Sequence, residues 1–156
     1  MKNYIFTAIL FVIVMFLNSD AIAGEIQIKD AYLRSSHPST AAAFMQLINK
    51  SDVDDRLLAV ASNVAERVEL HSHRSDSNGI MRMVPIESGI TIPAKHTVML
   101  ERGGNHIMFL GLTENVQDGD EISLILTFEL AGDIKAKILV DSNRRPSFHQ
   151  HNDDGG

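Results

Sequence analysis

The 156-residue chain contains no cysteine. That absence removes disulfides, thiolate metal sites, cysteine nucleophiles, iron–sulfur clusters, c-type haem attachment, a blue-copper centre and any cysteine-linked lipid anchor. Basic charge is also short: 14 Lys and Arg stand against 20 Asp and Glu, a formal net charge of −6. A chain of that sign is repelled by phosphate backbones, which argues against nucleic acid as a partner. No stretch carries the apolar periodicity of a helix of about twelve residues or more, and only Ser39 to Ala43 and Asn63 to Arg67 suggest a single helical turn. Internal repeats and interdomain linkers are missing too. The serines near histidines lack the glycines of a nucleophile elbow, so a hydrolase finds no support, nor does a redox enzyme, and the protein is not expected to be an enzyme.

What is present is one domain's length with 44% apolar residues, enough for a core. Lys2 precedes an apolar run from Tyr4 to Leu17, followed by Ala21-Ile22-Ala23, the small-x-small pattern that signal peptidase reads. The run is shorter than the ~20 residues of a spanning helix. Residues 1–23 are therefore read as a signal peptide cleaved after Ala23, and the expected destination is a periplasm. Beyond Gly24 the apolar residues alternate in short runs: Ile26 to Leu33, Ala43 to Ile48, Leu57 to Val60, Val68 to His71, Ile80 to Ile86, Ile90 to Ile92, Thr97 to Leu100, His106 to Leu112, Ile122 to Leu130 and Ile134 to Val140. Turn residues separate them, with hairpin signals at Asp76 to Gly79, Arg102 to Asn105 and Ala131 to Asp133. This pattern predicts an all-β sandwich or barrel over residues 24–141. The last segment, 142–156, loses its apolar content and is expected to be a flexible tail.

The chemistry lies in histidine and methionine. His71 and His73, Met81 and Met83, and His106 and Met108 are each two residues apart, so within a strand each pair projects from one face. The first two pairs flank the Asp76 to Gly79 turn, which brings their strands together as a hairpin. Thioether sulfur is a poor ligand for zinc, calcium or magnesium, whereas imidazole accepts copper readily, so a mixed Met/His set without a carboxylate points to Cu(I). Being neutral, such a set leaves the ion's charge uncompensated, which suits a carrier that must release its cargo. The competing reading is a β-sandwich module for adhesion or complex assembly, with the methionines as core filler and the histidines as surface residues.

Several blocks, in order, resemble the periplasmic copper chaperones called PCuAC: Val68-Glu69-Leu70-His71, Gly79-Ile80-Met81-Arg82-Met83-Val84-Pro85, Ile92-Pro93-Ala94, Gly103-Gly104-Asn105-His106-Ile107-Met108 and Leu126-Thr127-Phe128-Glu129. The resemblance runs from about Asp30 to Val140. That family's copper motif is a His, ten residues, a Met, twenty-one residues, then His-x-Met. Here eleven residues separate His71 from Met83 and twenty-two separate Met83 from His106; each extra residue fits a turn, Arg74 to Asn78 or Glu87 to Gly89. The resemblance implies a cupredoxin-like antiparallel Greek-key β-sandwich with His71, Met83, His106 and Met108 as ligands for Cu(I). Met81 is the alternative to Met83, since both share a face. It also implies delivery of copper to the CuA centre of cytochrome c oxidase, so the implied partners are the oxidase subunit carrying that centre and a Sco-type copper chaperone, with the chain itself a monomer. His37, His73 and His96 have no counterpart in the motif and read as surface residues, His73 being the candidate exception because it shares a face with His71. His149-Gln150-His151 resembles the metal-binding tails of some relatives and, with Asp153 and Asp154 nearby, could take Cu(II).

Overall fold

The computed structural model describes residues 25–145. The expected leader, 1–23, and the tail histidines His149 and His151 lie outside the described residues. Ten strands follow one another: β1 (Ile26–His37), β2 (Thr40–Asn49), β3 (Asp55–Ala61), β4 (Ala65–Ser75), β5 (Met81–Pro85), β6 (Ile90–Ile92), β7 (Thr97–Leu100), β8 (His106–Leu112), β9 (Glu121–Phe128) and β10 (Gly132–Val140). Among the described residues there is no helix, so the all-β expectation holds. The suggested helical turns do not form. Ser39 to Ala43 runs into β2 and Asn63 to Arg67 runs into β4, because pairing with β1 and β8 overrides the modest local helix preference of the alanines.

Alternation decides which side of each strand is buried. In β2, Ala41, Ala43, Met45 and Leu47 point into the core, while Ala42 and Phe44 point the other way. In β9, Ile122, Leu124, Leu126 and Phe128 are buried. These residues join Leu33, Leu57, Leu70, Ile92, Leu100, Ile107, Phe109, Ile138 and Val140 in one apolar cluster drawn from both ends of the sheet. Burying it against water is the main stabilising term.

The strands lie in the order β5-β4-β8-β2-β1-β10-β9-β3-β6, with β7 also on β2. The pairs are antiparallel except β1 with β10, which run parallel through Tyr32↔Leu139 and Leu33↔Val140, so the sheet is mixed rather than purely antiparallel. The reason is that β10 leaves its hairpin with β9 running the same way as β1, and their pairing joins the two halves of the sheet. The turn at Arg102 to Asn105 is not a hairpin either. It links β7 to β8, which lie one after the other along the same edge of β2, on Met45–Ile48 and Thr40–Ala43 respectively. Near the middle of β1 the register shifts between Lys29 and Tyr32, where Asp30 adopts φ 52°. This β-bulge turns the strand between the two halves. At the β5–β6 turn only glycine fits: Gly89 has φ 75°, and a Cβ there would lie 2.6 Å from the Leu57 carbonyl oxygen.

Candidate metal site

The register of β4 brings the chemistry together. Against β8 it sets His71 opposite His106 and Glu69 opposite Met108; against β5 it sets His73 opposite Met83 and Ser75 opposite Met81. Opposed residues share a sheet face, as do residues two apart. Glu69, His71, His73, Met81, Met83, His106 and Met108 therefore share the face opposite Leu70, Ile107 and Phe109, which belong to the core.

The imidazoles gather closely. The His71 and His106 ring centroids are 6.0 Å apart and those of His73 and His106 are 5.1 Å apart. Phe44 stands 6.3 Å from His106, and Tyr32 lies 5.3 Å beyond Phe44. A surface cavity is lined by His73, Met83, His106 and Met108, with Ala41, Ala42, Phe44, Arg102 and Gly103 completing the wall. An imidazole bound through nitrogen at about 2.0 Å places its centroid roughly 3.1 Å from the ion, so two rings on one ion stand about 4.5–6.3 Å apart. Both separations fall in that range. Among the described residues no three His, Asp or Glu side chains are grouped as an ion site by themselves, and Met83 lines the cavity while half-exposed (51%).

Hydrogen bonds fix the rings. His71 Nε2 donates to Glu69 Oε2 at 2.9 Å, and His106 Nδ1 donates to the Gly104 carbonyl at 3.1 Å. The Nδ1 atoms of His71 and His73 are buried and have no hydrogen-bond partner. Buried polar atoms are seldom left so, and these two leave ring nitrogens of adjacent imidazoles free of protein partners. Burial holds the His106 imidazole below its ordinary pKa; the neighbouring His73 and His71 push the same way, while the Gly104 carbonyl opposes them by favouring the protonated ring.

Of the four ligands that the resemblance implies, Met83, His106 and Met108 line the cavity and His71 stands beside it against His106, while His73 joins the lining instead of standing apart on the surface. Met81 sits one residue pair nearer the hairpin tip, 58% exposed, and does not line the cavity. His37 bonds to Ser39 Oγ at 2.9 Å and His96 to the Ala94 carbonyl at 2.7 Å; both are exposed and take no part. One carboxylate that the reading of residue types passed over stands beside the imidazoles. Glu69 contacts His71 directly, because a residue two positions earlier in a strand lies on the same face. The Glu69-x-His71 spacing is the signal for it in the sequence. The aromatic wall of Phe44 carries none.

Fold and site together define an all-β domain that carries imidazole and thioether donors on one sheet face. The LpqE-like family model matches residues 26–140, and the chain belongs to that family. A relative from Leifsonia xyli subsp. xyli, "Putative lipoprotein Lxx21020", is 31% identical over 106 residues, covering 68% of this chain and 63% of that protein. The chain thus matches less than two thirds of that relative's length. Among solved structures, the copper-bound PCuAC domain from PmoF2 superposes with a TM-score of 0.62 at 24% identity, over 77% of this chain and 95% of that one. The apo PCuAC domain from PmoF1 gives 0.65 at 20%, over 77% and 96%. The Cu(I) form of DR1885 from Deinococcus radiodurans gives 0.57 at 26%, over 80% and 86%. The fold is that of the PCuAC domains.

Proposed function

We propose that the protein is a copper carrier of the cell envelope, binding one Cu(I) through His71, Met83, His106 and Met108, with His73 as a further imidazole at the same face. The observation that carries this reading is the convergence of β4, β5 and β8: His73, His106 and two thioethers line one open cavity, and His71, opposed to His106, stands beside it with its Nδ1 buried and unpartnered. Imidazole and thioether together favour Cu(I) over harder ions, and a neutral set of ligands permits release to a receiver with better ones. Copper is cargo in this scheme, and no bond of a substrate is made or broken.

The proposed receiver is the subunit of cytochrome c oxidase that carries the CuA centre, with a Sco-type copper chaperone as a second partner and the carrier itself a monomer. The family and the Leifsonia relative are both described as putative lipoproteins, which supports an exported, envelope-associated protein. A leader cleaved after Ala23 would leave this chain in the periplasm without a lipid, since none of its residues is a cysteine.

Titrating Cu(I) into the apo protein against a chromophoric chelator tests the reading. One ion per chain is expected. Met83→Ala and Met108→Ala should each weaken binding by at least ~10-fold while the circular dichroism spectrum is retained. Equal affinity in the wild type and both variants would overturn the assignment.

A further inference from the structure

We infer that Glu69 is a positioning residue, which orients His71 so that this imidazole offers copper its Nδ1 while His106 offers the opposite nitrogen, Nε2. Both partners of these rings can only accept a hydrogen bond. An ionised carboxylate has no proton to give, so at 2.9 Å from Glu69 Oε2 the His71 Nε2 must be the donor. A neutral imidazole carries one N–H, which leaves the lone pair on Nδ1. That Nδ1 is the atom found buried and without a partner. On β8 the logic inverts: the Gly104 carbonyl also only accepts, so His106 carries its proton on Nδ1 and exposes the lone pair on Nε2.

Both fixing groups lie two residues before their histidine, but one is a side chain on the shared face and the other a backbone carbonyl. That difference makes the two rings present opposite nitrogens. Glu69 is itself held: Arg67 Nη1 donates to Oε1 at 3.1 Å, so each carboxylate oxygen has one partner. Arg67, Glu69 and His71 thereby form a ladder of alternate residues along β4. A carboxylate bonded to the far side of a metal-binding imidazole fixes its orientation and raises its basicity. It also sets negative charge near the ion without occupying a coordination position, so the cargo is held more firmly and its exit is not blocked.

The copper step of this inference rests on the carrier reading; the tautomers do not. Long-range proton–nitrogen correlation spectra of the 15N-labelled full-length apo protein at pH 8 should show His71 protonated on Nε2 alone and His106 on Nδ1 alone. Adding Cu(I) should then shift His71 Nδ1 and His106 Nε2. Glu69→Ala should weaken Cu(I) binding by about 10–100-fold, and Glu69→Gln, whose amide oxygen can accept the same bond, should recover much of that loss. The proposal is overturned by any other protonation pattern in the apo spectrum, by copper shifts on His71 Nε2, or by wild-type affinity in Glu69→Ala. Failure of the wild type to bind Cu(I) would defeat the carrier reading, and the apo spectrum would still decide the tautomers.

Discussion

His106 is 2% exposed, a position in which few ionisable side chains survive without a partner. It tolerates burial because its one N–H donates to the Gly104 carbonyl and because the neutral ring is the favoured form there. The folded-state pKa therefore lies below the ~6.5 of an unfolded chain. As pH falls through that ordinary value the unfolded state takes up the proton first. The stability contributed by a neutral His106 is thus complete above the unfolded pKa, is lost as pH falls through the lower folded pKa, and then levels off. We expect the His106 NMR titration midpoint in the apo protein to lie below ~6.5, and urea unfolding to be easier at acid pH than at neutral pH by a margin that shrinks in His106→Gln. A midpoint at or above the ordinary value would refute this. A low pKa also suits a ligand, since protons then compete less with the metal in mildly acid surroundings.

Among the elements, β3 begins with a different kind of buried polar group. Asp55, 3% exposed, accepts from the backbone N–H of Arg56 at 2.7 Å, Leu130 at 2.9 Å and Ala131 at 3.0 Å. It pins the turn between β9 and β10 to the start of β3 and so fixes the far half of the sheet. Asp55→Ala would leave those three donors without their shared acceptor, and the expected cost is about 2–3 kcal/mol in denaturant unfolding. A loss within the ~0.5 kcal/mol typical of neutral surface changes would show that the clamp contributes little. Because the donors that Asp55 holds belong to β3 and the β9–β10 turn and none to β4, β5 or β8, the imidazole signals of the folded variant should match those of the wild type.

For the whole molecule, the consequence concerns where the described chain ends. The Arg144 guanidinium lies 4.7 Å over the Tyr32 ring, Tyr32 packs on Phe44, and Phe44 on His106. Arg144, next to last of the described residues, thus lies on the side of the sheet that carries the imidazoles and thioethers. We propose that the tail binds Cu(II) weakly and independently through His149 and His151, since imidazole and carboxylate suit the oxidised ion as thioether suits the reduced one. A truncation after Arg145, which keeps the Arg144–Tyr32 contact, should lose one equivalent of Cu(II) by titration and retain the Cu(I) affinity of the full chain. The same Cu(II) stoichiometry in both proteins would leave the tail no part in metal binding.

Much of the fold and of the site is legible in the amino-acid sequence, because alternation is local. Strands β6, β7 and β8 lie where the apolar runs place them, and the two-residue spacing puts His71 with His73 and His106 with Met108 on common faces. The same spacing includes Glu69, but carboxylates on strands are mostly solvated, so its residue type points away from the site. What no local rule contains is partnership. Which strand lies beside β4 depends on how the apolar faces of distant segments close over one core, and only that closure sets His71 against His106 and Glu69 against Met108. Met81 and Met83 share a face, and only the register of the β4–β5 hairpin separates them, setting Met83 opposite His73 and Met81 opposite Ser75. The parallel seam between β1 and β10 has no signature either. Residue types and their two-residue spacing determined the candidate donors and the strands that carry them; tertiary packing decided which of those side chains meet, because only the closure of distant apolar faces over one core sets β4 beside β8.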